Sequence, residues 1–367
     1  MGEDRDALLA RAAATLSQGG LVLIPTETIY GLAASAASAA AVRSLRQLRG
    51  NVGGSAPTGP IVWHAPSRAA LLAAWPARQP MHSRILDRLC PGPVSFMIEM
   101  DPPTLAAARR HLGVAEGIID DGTSLAVRVP DDEIARAVLA AAGRCTVVEG
   151  IRADGRPARE ADRAADGVAA AGLAPALVLD GGPARYGVPS TLLRLHAGGG
   201  YRVEREGVLT AERVRASIER IILFVCTGNT CRSPMAAALA ADLADKRALP
   251  GQPPVRAESA GVGAPYGAPP TPETREALRR LGVAPRPATS RPVTPQLIQD
   301  AEVVYTMTRG HRAALAALAP DLAYKIHLLD PAGTDIDDPI GQGQETYNRT
   351  AAAMRTLIEA RLKELGA

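Results

Sequence analysis

The chain has 367 residues, 47% hydrophobic and 22% charged, with a mean hydropathy of +0.01, which is globular composition with room for two domains and excludes a disordered or fibrous chain. A formal charge of +3, with arginines and carboxylates evenly interspersed, gives composition-level binding to nucleic acid little support. Four cysteines are too few for a disulfide scaffold, the polar start Met1 to Asp6 is neither a secretory leader nor a myristoylation site, and no apolar run reaches membrane-span length, so the expected location is cytoplasmic with no membrane partner.

In chain order, residues 4–17 are an Ala/Leu-rich helix stopped by Gly19-Gly20, and residues 21–24 a buried strand entering a Pro25-Thr-Glu-Thr turn. A helical pattern runs over 37–49, followed by a Gly-rich stretch at 50–59 that reads as a mobile loop. Strands are expected near 61–64, 94–100, 125–129, 145–149, 176–179, 191–195 and 201–204, with helices between several of them, notably 131–142 and 159–171. Strands alternating with helices predict a twisted, mixed α/β sheet. A Thr210-Ala-Glu cap opens an Arg-rich helical linker over 209–220. The expected domains are therefore 1–208 and 221–367.

The second domain opens on five apolar residues, Ile221 to Val225, which make a buried strand. Cys226-Thr-Gly-Asn-Thr-Cys-Arg232-Ser233 follows, with Ser233 a suitable N-cap and Pro234 a suitable first helical residue, so a helix is expected to Lys246. Strand, tight loop and helix start aim backbone N–H groups at one point, an anion site that favours a thiolate at Cys226. Arg232 can return to grip two oxygens of a phosphate with its planar fork. This pairing is a phosphatase nucleophile and its clamp. No Gly-Lys-Ser/Thr follows, so a Walker-type nucleotide loop is excluded.

The loop resembles the signature of the low-molecular-weight protein phosphatases: Cys, five residues, Arg, then Ser or Thr. Glu258-Ser-Ala-Gly-Val262, Val304-Tyr-Thr-Met-Thr308 and Asp337-Asp338-Pro339 extend the resemblance from residue 221 to the C-terminus. It implies a parallel four-stranded sheet with flanking helices, a phosphate-binding loop formed by Thr227, Gly228, Asn229, Thr230, Cys231 and Ser233, and no cofactor. It also implies Cys226 as nucleophile, Arg232 as clamp and Asp338 as general acid, with neighbouring Asp335 and Asp337 as alternatives for the acid. Threonine at 230 is similar to the protein arginine phosphatases, whereas tyrosine-specific members usually carry isoleucine there. After Pro339 the paired tyrosines of the tyrosine-specific members are missing, and Ile340 stands where arginine phosphatases usually have phenylalanine. The implied substrate is a phosphorylated protein, phosphoarginine ahead of phosphotyrosine. Cys226 and Cys231 are the sole cysteines of this half, so an arsenate-reductase disulfide relay cannot run; Cys231 either pairs reversibly with Cys226 or fills space under the loop.

Residues 1–208 resemble the YrdC-like family through Pro25-Thr-Glu-Thr-Ile-Tyr-Gly31, Pro91-Gly-Pro93, Ala126-Val-Arg-Val-Pro130, Gly187-Val-Pro-Ser-Thr191 and Arg205-Glu-Gly207. Active members join threonine, bicarbonate and ATP into threonylcarbamoyl-AMP for tRNA modification, which would imply ATP and Mg here. Thr28, Tyr30, Arg49, Arg128 and Ser190 are the ligand residues the resemblance suggests. The family's Lys-x-Arg place reads Arg49-Gly50-Asn51, no lysine precedes Lys246, and the Thr-Ser-Ala-Asn place reads Glu149-Gly150-Ile151-Arg152. Lost cations and an unpaired carboxylate at 149 would repel a polyphosphate. The expectation is a nucleotide- or RNA-binding domain fused to a phosphatase; the alternative is a bifunctional enzyme. Trp63, His64 and Trp75 read as core or rim residues, and His82, His111, His196, His311 and His327 lack metal-ligand spacing.

Overall fold

The computed structural model describes residues 5–51, 59–76, 79–143, 145–247, 252–285 and 288–365. The chain divides into two compact units, 1–218 and 219–367. The expected loop at 50–59 lies mostly outside the described residues; of it, 50 and 51 close a helix, Ala39–Asn51.

The first unit is built on a nine-stranded mixed sheet. Its strands run Tyr201–Arg205, Thr191–Leu195, Val94–Glu99, Ser124–Arg128, Val62–His64, Thr146–Gly150, Gly31–Ser35, Val22–Ile24 and Leu177–Val178 across the sheet. Side chains alternate between its faces. Val22 and Ile24 pack with Ala12, Leu16, Val138 and Ala142 of the helices Arg5–Ser17 and Glu133–Ala142. Leu23 and Leu32 instead join Leu45, Leu48, Leu71, Ile85, Phe96 and Val127. Both faces are therefore covered.

The strand Gly31–Ser35 escaped the sequence reading. Its residues, Gly-Leu-Ala-Ala-Ser, are all buried, and small side chains carry no period-two signal. Gly31 is required there, since a Cβ would lie 2.4 Å from Val148 Cγ1 on the neighbouring strand. The expected linker also differs. Its helix, Ala211–Ile218, buries Val214 and Ile218 completely in the first unit's core. The apolar spacing of those two residues makes it an element of that unit.

In the second unit four parallel strands lie in the order Val255–Gly261, Arg220–Cys226, Val303–Thr306 and Ile326–Leu328. Ile222, Phe224 and Cys226 point toward the helices Arg232–Arg247, Pro272–Arg280 and Gln344–Glu364 through Met235, Leu239, Leu278, Met354 and Ile358. Leu223 and Val225 face the helices Pro295–Asp300 and Arg309–Leu318 through Ile298 and Leu315. A parallel sheet of this kind presents its ligand crevice at the carboxyl ends of the strands. Cys226 is the last residue of a central strand, at the mouth of that crevice.

Candidate active site

The loop after Cys226 turns its carbonyls away from the crevice. Val262 N donates to Cys226 O (3.0 Å), Gly263 N to Thr227 O (3.1 Å) and Thr271 N to Thr230 O (3.0 Å). No backbone carbonyl of the described residues takes the amides of 227–231, so those donors remain for an anion. Asn229 allows the turn by adopting a left-handed φ of +53°, a conformation asparagine tolerates better than most residues. Its side chain locks the turn from both ends: Nδ2 donates to Ser233 Oγ (2.9 Å), and Oδ1 accepts from Arg291 N (3.0 Å). Gly261 on the adjacent strand must lack a side chain, because a Cβ would stand 2.3 Å from Thr227 O.

Cys226 is buried, with Sγ 3.0 Å from Ser233 Oγ. Ser233, expected as a helix cap, is instead the second residue of the helix Arg232–Arg247. Its single hydroxyl proton can go to Ala260 O (3.1 Å) or to the sulfur. A thiolate draws that proton to itself, since a charged acceptor makes the stronger bond. Arg232 is 4% exposed and forms two contacts across the opening: Nη1 donates to Ile336 O (2.7 Å) and Nη2 to Asp338 Oδ2 (2.5 Å). The three neighbouring aspartates differ in their contacts. Asp338 faces the loop through Arg232, Asp335 Oδ1 accepts from Arg309 N at the start of a helix (2.8 Å), and Asp337 is exposed.

The remaining loop residues are held by neighbouring segments. Thr230 O is held by Thr271 and by Thr274 Oγ1 (3.3 Å), and a Cβ at Gly228 would stand 3.6 Å from Thr230 Oγ1. Cys231 lies 3.2 Å from Tyr347 Oη, whose hydroxyl is pushed up to about 12 by burial and by this thiol. Both cysteines are free.

In the first unit, all five suggested ligand residues line one cavity of about 700 Å³. Ser190 Oγ lies 2.8 Å from Ser95 Oγ, and Thr28 Oγ1 2.9 Å from Thr26 Oγ1. Tyr30 donates to Gly182 O (2.8 Å) and Asp180 Oδ1 (3.1 Å), and burial pushes its hydroxyl up to about 12. Arg128 is buried against Glu27 at 2.8 Å. Glu149 is not the unpaired carboxylate the sequence suggested. Arg49 Nη2 and Nε donate to its Oε2 at 2.5 and 3.0 Å, while Nη1 and Nη2 also hold the carbonyls of Gly59 and Pro60. Arg152, Arg205 and His64 line the same cavity. His64 is buried, and burial with Arg128 beside it pushes its imidazole down to about 3.

The model of the low molecular weight phosphotyrosine protein phosphatases matches residues 221–367, and that of the Sua5/YciO/YrdC family, described as telomere recombination, matches residues 14–207. The chain belongs to both families. Its phosphatase half is 35% identical over 148 residues to the protein-arginine-phosphatase of Bacillus subtilis strain 168, covering 39% of this chain and 95% of that protein. It is 40% identical over 99 residues to the low molecular weight protein-tyrosine-phosphatase YfkJ of the same strain, covering 27% of this chain and 62% of that protein. A solved structure of the YwlE arginine phosphatase from Geobacillus stearothermophilus is 36% identical with a TM-score of 0.36, over 40% of this chain and 93% of that one.

This fusion of a Sua5/YrdC domain with a low-molecular-weight phosphatase domain uses several residues that sequence reasoning passed over. His311 sits beneath Thr227 with Nε2 2.9 Å from its Oγ1; the absence of metal-ligand spacing hid a histidine that binds hydroxyls. Tyr347 and Arg291 touch the loop from more than fifty residues away, and nothing local marks such partners. Among the described residues no helix is long and apolar enough to cross a membrane, and no cluster could hold a metal ion.

Proposed function

We propose that the C-terminal half hydrolyses phosphoarginine in proteins through a phosphocysteine at Cys226, in the cytoplasm. The observation that carries this reading is Arg232 joining the outward-tied loop to Asp338 across the opening. A phosphoryl group takes the loop amides and draws the guanidinium fork from Asp338 onto two of its oxygens. The Cys226 sulfur attacks phosphorus in line, the P–N bond breaks, and the Asp338 carboxyl gives its proton to the leaving guanidine nitrogen. Water then displaces sulfur from phosphorus, and the Asp338 carboxylate takes the proton from that water.

Two things support arginine over tyrosine. Thr230 offers a hydroxyl and open space where a branched apolar side chain would favour a phenol. Beyond the acid, Ile340 is 62% exposed, and no aromatic wall follows it in the sequence to stack on a tyrosine ring. The Bacillus subtilis relative matched over 95% of its length is an arginine phosphatase, whereas the tyrosine phosphatase YfkJ is matched over 62% of its own. Thr230→Ile should lower the ratio of kcat/KM on phosphoarginine peptides to that on phosphotyrosine peptides by about tenfold. An unchanged ratio would remove Thr230 from specificity.

For the N-terminal half we propose a nucleotide- or RNA-binding module that no longer makes threonylcarbamoyl-AMP. The Arg49–Glu149 pair favours this: the cation nearest the place of a triphosphate clamp is already neutralised, and its remaining donors hold carbonyls. Separating a partly buried pair of this kind leaves a costly unpaired charge. ATP and Mg would be needed only by the bifunctional alternative. The full chain given ATP, threonine and bicarbonate should release no more pyrophosphate than with ATP alone. Threonine-dependent pyrophosphate would assign the synthase reaction.

A further inference from the structure

Beside the phosphate loop lies a buried group that the proposed reaction leaves unused. His311, in the first turn of the helix Arg309–Leu318, is 7% exposed. Its Nε2 lies 2.9 Å from Thr227 Oγ1 and its Nδ1 2.9 Å from Thr308 Oγ1, while its backbone N–H donates to Thr308 Oγ1 at 3.2 Å. Thr227 directly follows the nucleophile. Thr308 directly follows Met307, whose amide donates to Val225 O (3.1 Å) and whose carbonyl accepts from Ile336 N (2.8 Å). The carbonyl of Ile336 in turn accepts from Arg232 Nη1 at 2.7 Å. These contacts close a ring from the loop through the imidazole to the segment carrying Asp338, and back to the loop through Arg232.

We propose that His311 is a positioning residue that fixes the nucleophile loop against the general-acid segment, and that it does so only as a neutral imidazole. The inference rests on the reading that Cys226 and Asp338 carry the reaction. A neutral ring has one donor and one acceptor, and a hydroxyl can answer either, so both nitrogens are satisfied without charge. The charged groups that face the ring are Arg232 from the phosphate loop and Asp335 and Asp338 from the acid segment. Both carboxylates are already engaged, Asp338 by Arg232 and Asp335 by the Arg309 amide. Burial first, and Arg232 second, hold the imidazole below its ordinary pKa against the pull of the two carboxylates. A proton forced onto the ring at acid pH would place a cation beside Arg232 and loosen the ring of contacts. The positioning is therefore intact above the ordinary histidine pKa and is lost as pH falls through the lowered one.

The test is kinetic. In His311→Ala the full-length protein should lose about ten- to a hundredfold in kcat, with KM moving less than about threefold, because alignment is lost while the phosphate contacts stay. His311→Gln keeps a donor and an acceptor without titrating, so it should recover part of kcat and flatten the acid side of the kcat–pH profile. Thr227→Val removes the other end of the contact with little change of volume and should copy the kcat loss even if the alanine variant folds poorly. Wild-type kcat in both His311→Ala and Thr227→Val, a loss confined to KM, or an unaltered acid limb in His311→Gln would each overturn the proposal. Failure of the underlying phosphatase reading is distinguishable: turnover would then survive in Cys226→Ser, whatever stands at 311.

Discussion

Cys226→Ser is expected to reduce phosphoarginine hydrolysis by on the order of 10⁴-fold or more, while the protein still binds inorganic phosphate. The two halves of this expectation have different physical sources. Binding comes from the amides of 227–231, which no backbone carbonyl of the described residues takes, and from Arg232, all of which the substitution leaves in place. Turnover needs a sulfur anion. A serine hydroxyl ionises far less readily, and among the described residues no histidine or carboxylate is bonded to the side chain at 226; Ser233 Oγ is its hydrogen-bonding neighbour. Phosphate titration by calorimetry beside single-turnover kinetics separates the two. Substantial hydrolysis by the serine variant would sink the covalent mechanism, and loss of phosphate binding would show that the cysteine shapes the loop rather than attacks from it.

Asp338→Ala is expected to slow phosphoarginine turnover by about two to four orders of magnitude. A guanidine is a strong base and leaves phosphorus poorly without a proton, so the penalty should shrink on an aryl phosphate whose leaving oxygen is weakly basic. The Asn variant decides between chemistry and architecture. An asparagine oxygen can still accept from Arg232 Nη2, so an Asp338 that merely anchored Arg232 would be replaceable. If it gives a proton, Asp338→Asn and Asp338→Ala lose alike. The exposed Asp337 provides the control: Asp337→Ala should stay near wild type. Equal losses at 337 and 338 would return the assignment of the acid to the sequence-level alternatives.

What could be read from the residues was what adjacent residues determine together. The strand at 221–225, the tight turn and the helix start announce themselves within fifteen positions, because apolar run, loop chemistry and helix-starting residues agree locally. The strand Gly31–Ser35 did not, because small buried residues look alike in strand and turn. Glu149 misled for a different reason. Its partner, Arg49, stands a hundred positions earlier, so a charge that looked exposed to phosphate is already neutralised. The same limit hid His311: its worth lies in hydroxyls supplied by two other segments. The helix over 211–218 shows the reverse case, since Val214 and Ile218 carried the signal for packing while the arginine content drew the reading toward a spacer.

The contact between Cys231 and Tyr347 spans 116 positions, and that between Arg232 and Ile336 spans 104. During synthesis Cys226 thus leaves the ribosome well before the residues that brace its loop from below and from across the gap. A nascent product halted before residue 336 would carry Cys226 with neither brace, so the loop can be braced only after residues 336 and 347 have been made.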